Sequence, residues 1–434
     1  MLDLKALRAD PDAARAALAR RGDGIAERVD RVLELDERRR ELLPQVEGLR
    51  AEAKQRAKEV GQRIKALSEL PADEAATQRE EITTWAKAPT LQAEELRVEL
   101  ERVEAEFHEA LLLLPNLPDP SAAPHDTVLR EVGTPRAFGF APRDHLQLGG
   151  TLIDMERAAR LSGSRFALLK GQLVQLELAL VQWVMSRLAT EGFTPVIPPV
   201  LVREEALLGT GFLPDTEQQI YTLPAEELYL VGTSEVALAS MHAGEILEVS
   251  ELPLRYAGFS PCFRREAGSA GSADRGLFRV HQFDKVEMFA FVEPSLAAEE
   301  HERILAVEES ILQGLELPYR VVNIAVDDLG PSAAKKYDCE AWLPSQQTYR
   351  ELTSCSNTTE FQARRLEARY RPLREDGQPG KPEAVATLNG TATAVGRTII
   401  AILENHQQQD GTVAIPAALH PFGAPPVLDA PGRE

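Results

Sequence analysis

Arg264, Arg265 and Glu266 open a segment whose residue types suit the handling of anions. A Gly/Ser-rich, charge-dotted stretch follows, and then a run to Phe289 in which Arg279, Gln282 and Glu287 are interleaved with Val280, Phe283 and Val286. Period-two alternation on both sides of a turn-rich insert predicts a strand, a mobile loop and a returning strand. Such a hairpin can set a guanidinium, carboxylates and an aromatic face around one ligand. Guanidinium clamps phosphate or carboxylate because its fork donates two parallel hydrogen bonds and keeps its charge. An exposed hairpin with ordinary surface charges would read the same way.

Three further segments carry candidate chemistry. GTSEVAL, from Gly232, places Thr233, Ser234 and Glu235 directly after an apolar run, so a strand end would deliver a hydroxyl and a carboxylate to a ligand carrying an ammonium group. The same residues are also helix-capping chemistry. TYRELTSCSN, from Thr348, combines Glu351, Ser354 and Asn357 in a polar strand. Oxygen donors of this kind suit a hard cation such as Mg²⁺, and an exposed polar strand is an equally common source of the pattern. From Thr387 a strand of small residues becomes a helix through Ile399, Ile400 and Leu403, with Arg397 near the transition, where it could face a cleft. Gly390, Ala392 and Gly396 would let a flat ligand approach closely.

The elements that must position these residues fall into two parts. Val32, Leu35, Arg39, Leu42, Val46, Leu49, Ala53, Arg56, Val60, Arg63 and Leu67 are spaced by threes and fours, and so are Ala93, Leu96, Leu100, Val103, Phe107, Ala110 and Leu114. Two such seams joined by a turn at SELPADEAA predict an antiparallel coiled-coil hairpin that projects as an arm. Pro44 and Pro89 fall inside the helices and should kink or interrupt them. Between Arg31 and Leu67 there are ten Lys/Arg and seven Asp/Glu, whereas Glu74–Leu113 holds four and ten. The outgoing helix is therefore the better surface for a polyanion, unless the charges only solvate and pair across the hairpin. The proline-rich stretch from Leu113 reads as the linker, giving segments 1–114 and 115–434. Beyond it, strands are not regularly interleaved with helices. An α+β fold with a mostly antiparallel, helix-flanked sheet is expected, not a doubly wound parallel one.

Composition narrows the class. At 434 residues with 44% hydrophobic content, the chain fits two or three domains with a real core. No apolar run reaches the ~20 residues that span a bilayer. The acidic, non-apolar N-terminus is not a secretory leader, so cytoplasmic residence is the default. It reads as a short helix with Asp10 as cap and Pro11 at the first helical position. Three scattered cysteines and eight histidines lack ligand spacing, which predicts reduced thiols and no zinc. The net charge of −20 argues against non-specific nucleic-acid binding without excluding a local basic surface. There is no Gly-x-x-x-x-Gly-Lys loop, so a nucleotide would be held another way.

In order and wording these segments resemble the bacterial seryl-tRNA synthetases, which are class II aminoacyl-tRNA synthetases. The resemblance runs from the opening LDLKALRADPDAARAALARRG to HPFG near the end. GFTPVIPPVLV with Pro199 is similar to motif 1, Phe263–Phe289 to motif 2, and the stretch ending Val395-Gly396-Arg397 to motif 3. The resemblance implies a homodimer built partly through motif 1 and an arm that grips tRNA(Ser), with tRNA(Sec) a further candidate. It implies that ATP and serine form seryl-adenylate before transfer to the terminal adenosine. By matched positions, Arg264 would hold the α-phosphate and the serine carboxylate, with Glu351 and Arg397 completing the catalytic set. ATP would also meet Arg265, Glu266, Val280, Phe283, Leu352, Thr353 and Ser354, the adenine lying between Phe283 and Arg397. Mg²⁺ would sit on Glu351 and Ser354. Thr233, Ser234, Glu235, Glu287, Asn389 and Thr391 would form the serine pocket. Many family members read Ser-Gly-Leu at Thr391-Ala392-Thr393, which implies a slightly tighter pocket here. Alternatives are a relative that loads a carrier protein, against which the arm argues, a resistance-type paralogue, and a non-catalytic binder.

Overall fold

The computed structural model describes residues 1–214, 219–267 and 276–431. Two units are distinguishable: Asp3–Ala19 with Asp23–Leu114, and Met1–Leu2 with Arg20–Gly22 and Pro115 onward. In the first, Asp3 caps α1 (Leu4–Ala9), and Asp10 accepts from the Ala13 N–H at 2.9 Å to start α2 (Pro11–Ala19). Helices α3 (Glu27–Ala66) and α4 (Ala72–Leu112) form the hairpin. Val32, Leu35, Leu42 and Val46 are buried on α3, and Ala93, Leu100, Val103 and Phe107 on α4, as the seam spacing requires.

The expected turn of the hairpin is corrected, and of the two outcomes expected at the prolines interruption is excluded. The turn is shorter than SELPADEAA: α4 already begins at Ala72, where Asp73 and Glu74 complement the positive end of the helix dipole. Neither proline interrupts its helix. Pro44 lies on the exposed side, while Leu42 and Val46 around it stay buried. Pro89 cannot donate to the Trp85 carbonyl four residues earlier. The guanidinium of Arg56, on the facing helix, supplies that bond at 2.6 Å. The Trp85 ring also lies under Arg56 and Arg63, whose guanidinium carbons are 4.9 and 3.7 Å from its centroid. Seam positions 56 and 63, polar in the sequence, are thus filled by cation–aromatic contact.

The second unit is built on an eight-stranded sheet. Its elements are β1 (Thr127–Val132), α5 (Gln172–Thr190), β2 (Thr194–Val196), α6 (Glu235–Ala239), β3 (Leu254–Phe263), β4 (Gln282–Val292), α7 (Ala297–Gly314), β5 (Tyr319–Asn323), β6 (Lys335–Leu343), β7 (Thr348–Asn357), β8 (Ala386–Ala394) and α8 (Val395–Asn405). Spatial order is β1-β5-β6-β7-β8-β4-β3-β2, antiparallel except for the last pair. The expected α+β architecture is what forms.

Strand β4 shows how the sheet divides its labour. Val286, Met288, Ala290 and Val292 join the main core with Leu176 and Leu180 of α5 and Ile304 and Ile311 of α7. On the other face, Phe289 and Phe291 pack with Leu238 and Ala239 of α6. Phe283, Lys285 and Glu287 continue that face into a cavity. Among the described residues, no helix is long and apolar enough to cross a membrane.

Candidate active site

The cavity holds about 380 Å³ and is lined from four strands of the sheet, β4, β6, β7 and β8, and the loops around them. It brings together Thr233, Glu235, Arg264, Glu266, Val280, Phe283, Glu287, Glu351, Leu352, Ser354, Asn389, Thr391 and Arg397. Residues 268–275 of the loop expected between β3 and β4 lie outside the described residues.

Arg264 follows the last residue of β3 and is fixed by an extra rung: its N–H donates to the His281 carbonyl at 2.9 Å, and its carbonyl meets His281 Nδ1 at 2.9 Å. Its Nε donates to the Gly232 carbonyl at 3.2 Å, and its guanidinium carbon lies 5.3 Å from the Phe283 ring centroid. Glu266 adopts a left-handed φ of 48° and accepts from Arg279 Nη1 at 2.7 Å. At the far side, Arg397 donates from Nη1 to the Glu351 carbonyl at 3.1 Å and lies 3.3 Å from its Oε2. Its guanidinium is stacked on Phe278, at 4.8 Å, not on Phe283. Burial raises the Glu351 pKa, but Arg397, Lys336 and Arg264 outweigh it and hold this carboxyl below the usual range.

Glu351 and Ser354 are three residues apart, so a regular strand would point them to opposite faces. A bulge resolves this. Glu340 pairs with Glu351 and Cys339 with Thr353, leaving Leu352 as the extra residue. Thr353 therefore faces away, its hydroxyl donating to Glu308 Oε2 of α7 at 3.0 Å, and contributes no side chain to the cavity. A second bulge lies between β4 and β8. Val286 pairs with Thr393 and Glu287 with Thr391, and Ala392 is extra. Its methyl belongs to the main core, so the alanine does not tighten the pocket.

Other expected positions are also turned away. The Ser234 hydroxyl donates to the Gly258 carbonyl at 3.3 Å beneath the cavity. Arg265 is exposed, and Gln282 and Asn357 lie off the lining. The strand period explains both 265 and 282, each one step out of phase with its functional neighbour.

The part of the cavity lined by Glu235, Glu287, Asn389 and Thr391 is polar and buried. Glu235 Oε1 accepts from Gln362 Nε2 at 2.8 Å and from Asn389 Nδ2 at 3.0 Å. Burial, reinforced by the charge of Glu287, pushes the Glu235 pKa up to about 7. Lys285 Nζ lies 2.5 Å from Glu287 Oε2, and Thr391 donates to that same oxygen at 3.4 Å. Arg279, one of the charged residues expected in the hairpin, is in the lining, and Lys285, Lys336 and Gln362 belong to the site beyond the residues expected. Period-two spacing from Phe283 and Glu287 was the available signal for Lys285.

One wall is the 330–333 loop. Its carbonyls are held by two residues. The Arg21 guanidinium donates to Leu329, Gly330 and Ala333 as well as to Asn116 O. Asn116 donates from its backbone to Pro331 O and from Nδ2 to Ser332 O. Burial lowers the Arg21 pKa to about 10.

A seryl-tRNA synthetase N-terminal domain profile matches residues 1–118, and a class II core domain profile (G, H, P, S and T) matches 221–406. A serine–tRNA ligase of Thermobifida fusca is 52% identical over 99% of both chains. The chain belongs to the seryl-tRNA synthetase family. The seryl-tRNA synthetase of Pyrococcus horikoshii, solved with ATP, superposes with a TM-score of 0.87 at 41% identity, covering 99% of this chain and 100% of that one. A cytoplasmic Naegleria fowleri serine–tRNA ligase, solved with AMP, gives 0.82 at 31% identity over 97% and 96%. Among the described residues no group of three or more His, Cys, Asp or Glu could hold a metal by itself. Glu351 and Ser354 on one cavity face instead suit a Mg²⁺ ion that takes its remaining ligands from water and phosphate.

Proposed function

We propose that this chain activates serine with ATP and transfers it to the 3′-terminal adenosine of tRNA(Ser). The observation that carries the reading is one cavity with two chemically distinct ends. Arg264, Phe283 and Arg397 suit a nucleotide, and Glu235 and Glu287 a small zwitterion.

The serine ammonium is received by Glu235, Thr233 and Asn389, and its hydroxyl by Glu287 and Thr391. Arg264 draws the serine carboxylate toward the α-phosphate. That carboxylate is already ionised at neutral pH, so no enzymic base is needed. Its oxygen attacks the α-phosphorus while the bond to the β-phosphate oxygen breaks, releasing pyrophosphate. Bringing two anions together is the main barrier, and Arg264 offsets it electrostatically. When bound at Glu351 and Ser354, Mg²⁺ supplies further neutralisation of the phosphates. The adenine lies between Phe283 and Arg397 once Arg397 leaves Phe278. In the second step the adenosine hydroxyl attacks the acyl carbon and AMP departs.

The hairpin serves as the tRNA-gripping arm. Arg31 and Arg38 pair with Glu106 and Glu99 across it. Lys54, Lys58 and Lys65, exposed on one face of α3, make no ion pair among the described residues and are available to phosphates. A homodimer built through motif 1 is supported by exposed Val174 and Leu178 on α5 and Ile197 after β2, elements that pack together. Cytoplasmic residence accompanies this function. Pyrophosphate exchange with serine, threonine, alanine and cysteine tests the activation step. Exchange with none of them, or with another amino acid in preference to serine, would refute it.

A further inference from the structure

Resting on the serine-activation reading, we infer that Lys285 is a specificity-determining residue, which holds Glu287 so that one carboxylate oxygen is reserved for the substrate hydroxyl. Three observations carry this. Lys285 and Glu287 are two residues apart on the cavity face of β4, and both line the cavity. Both are buried, at 6% and 2% exposure, with Nζ 2.5 Å from Oε2. The Thr391 hydroxyl occupies that same Oε2, and among the described residues no hydrogen bond reaches Oε1. One oxygen is thus saturated by the protein, and its twin is left for a ligand.

A buried lysine that only filled space would be costly without its partner, and a carboxylate that only neutralised it would need no open face. Here both members of the pair line the cavity. Held in one orientation, Glu287 presents an acceptor that serine satisfies and alanine leaves unpaired, and an unpaired buried acceptor is what penalises the wrong substrate. The pair also governs charge nearby. Glu235 is faced by Glu287 and Lys285 from β4 and by Arg264 beyond β3, with Gln362 and Asn389 donating to it. Removing the lysine would leave two carboxylates against Arg264 alone.

The test is pyrophosphate exchange by the full-length protein carrying Lys285→Met, which keeps the aliphatic stem, beside Lys285→Arg, which keeps the charge. Lys285→Met should raise the serine KM about tenfold or more and cut the serine-over-alanine ratio of kcat/KM about tenfold, with the ATP KM within about twofold. Lys285→Arg should recover part of that ratio, and serine use by Lys285→Met should shift to higher pH. In a Glu287→Gln background, Lys285→Met should lower the ratio no further, since it acts through Glu287. A raised ATP KM with an intact serine-over-alanine ratio would assign Lys285 to the phosphates and overturn the inference, as would independent, multiplicative losses in the double variant. If Lys285→Met does not fold, Lys285→Gln serves, with the same expectations. Wild-type protein that fails to exchange with serine would instead overturn the function on which this rests.

Discussion

The ion pairs that join the two helices of the hairpin lie on a wet surface, whereas the Lys285–Glu287 pair of the sheet is buried in the cavity lining. Arg31–Glu106 and Arg38–Glu99 join side chains that are one-third to one-half exposed. Pairs of this kind contribute about 0–1 kcal/mol and weaken with salt. Lys285–Glu287 is almost wholly desolvated, and breaking such a pair costs about 3–5 kcal/mol. The same residue types therefore tune a surface in one unit and define a ligand in the other. Burial decides which.

Substitutions can break that contrast. Replacing Arg264 with alanine should lower serine-dependent pyrophosphate exchange about 10³-fold, while circular dichroism stays unchanged. A loss under about tenfold would remove Arg264 from its role at the reacting anions. Glu287→Ala should cut the serine-over-alanine ratio in adenylate formation by about 10²-fold. Retention of the wild-type ratio would show that the hydroxyl is read elsewhere. Deleting Asp30–Leu114 should spare exchange while reducing tRNA charging about 10²-fold, and arm-dependent tRNA binding should fall as salt is added. Equal loss of both activities would count against the arm's role.

Smaller effects sharpen the comparison. Glu235, raised to about 7, is largely protonated at pH 6 and cannot then pair with an ammonium group. Serine kcat/KM should therefore rise roughly tenfold between pH 6 and 8 and level off above. A flat profile would mean that Glu235 titrates outside this window or does not hold the ammonium. In the hairpin, Arg56→Ala should destabilise the α3–α4 pairing by about 1–2 kcal/mol in native-state hydrogen exchange. The loss should shrink when Pro89→Ala returns a donor to the Trp85 carbonyl.

Much of the fold was readable because it depends on local periodicity. The seams gave the hairpin, TYRELTSCSN is β7 in full, and the change from small residues to an apolar helix at Ala394–Val395 is the β8–α8 junction. The carboxylates and arginines of the cavity were readable as chemical types. Their orientation was not, because it depends on unpaired residues in the sheet. Nothing in Glu351–Ser354 or Thr391–Thr393 announces that Leu352 and Ala392 are bulged, yet those two residues decide which neighbours face the ligand. The prolines misled for a related reason. Local rules count a lost hydrogen bond, whereas Arg56 supplies one to the same Trp85 carbonyl from 29 positions away in sequence.

Arg21 carries a consequence for exchanging parts between relatives. It precedes the hairpin in sequence, yet its guanidinium grips the loop that walls the cavity. A chimera spliced at the proline-rich linker would inherit a foreign residue at that position, or none, and the carbonyls of Leu329, Gly330 and Ala333 would lose their donor. The smallest transplantable catalytic module is therefore discontinuous, and it takes residues 1–2 and 20–22 along with everything after 114.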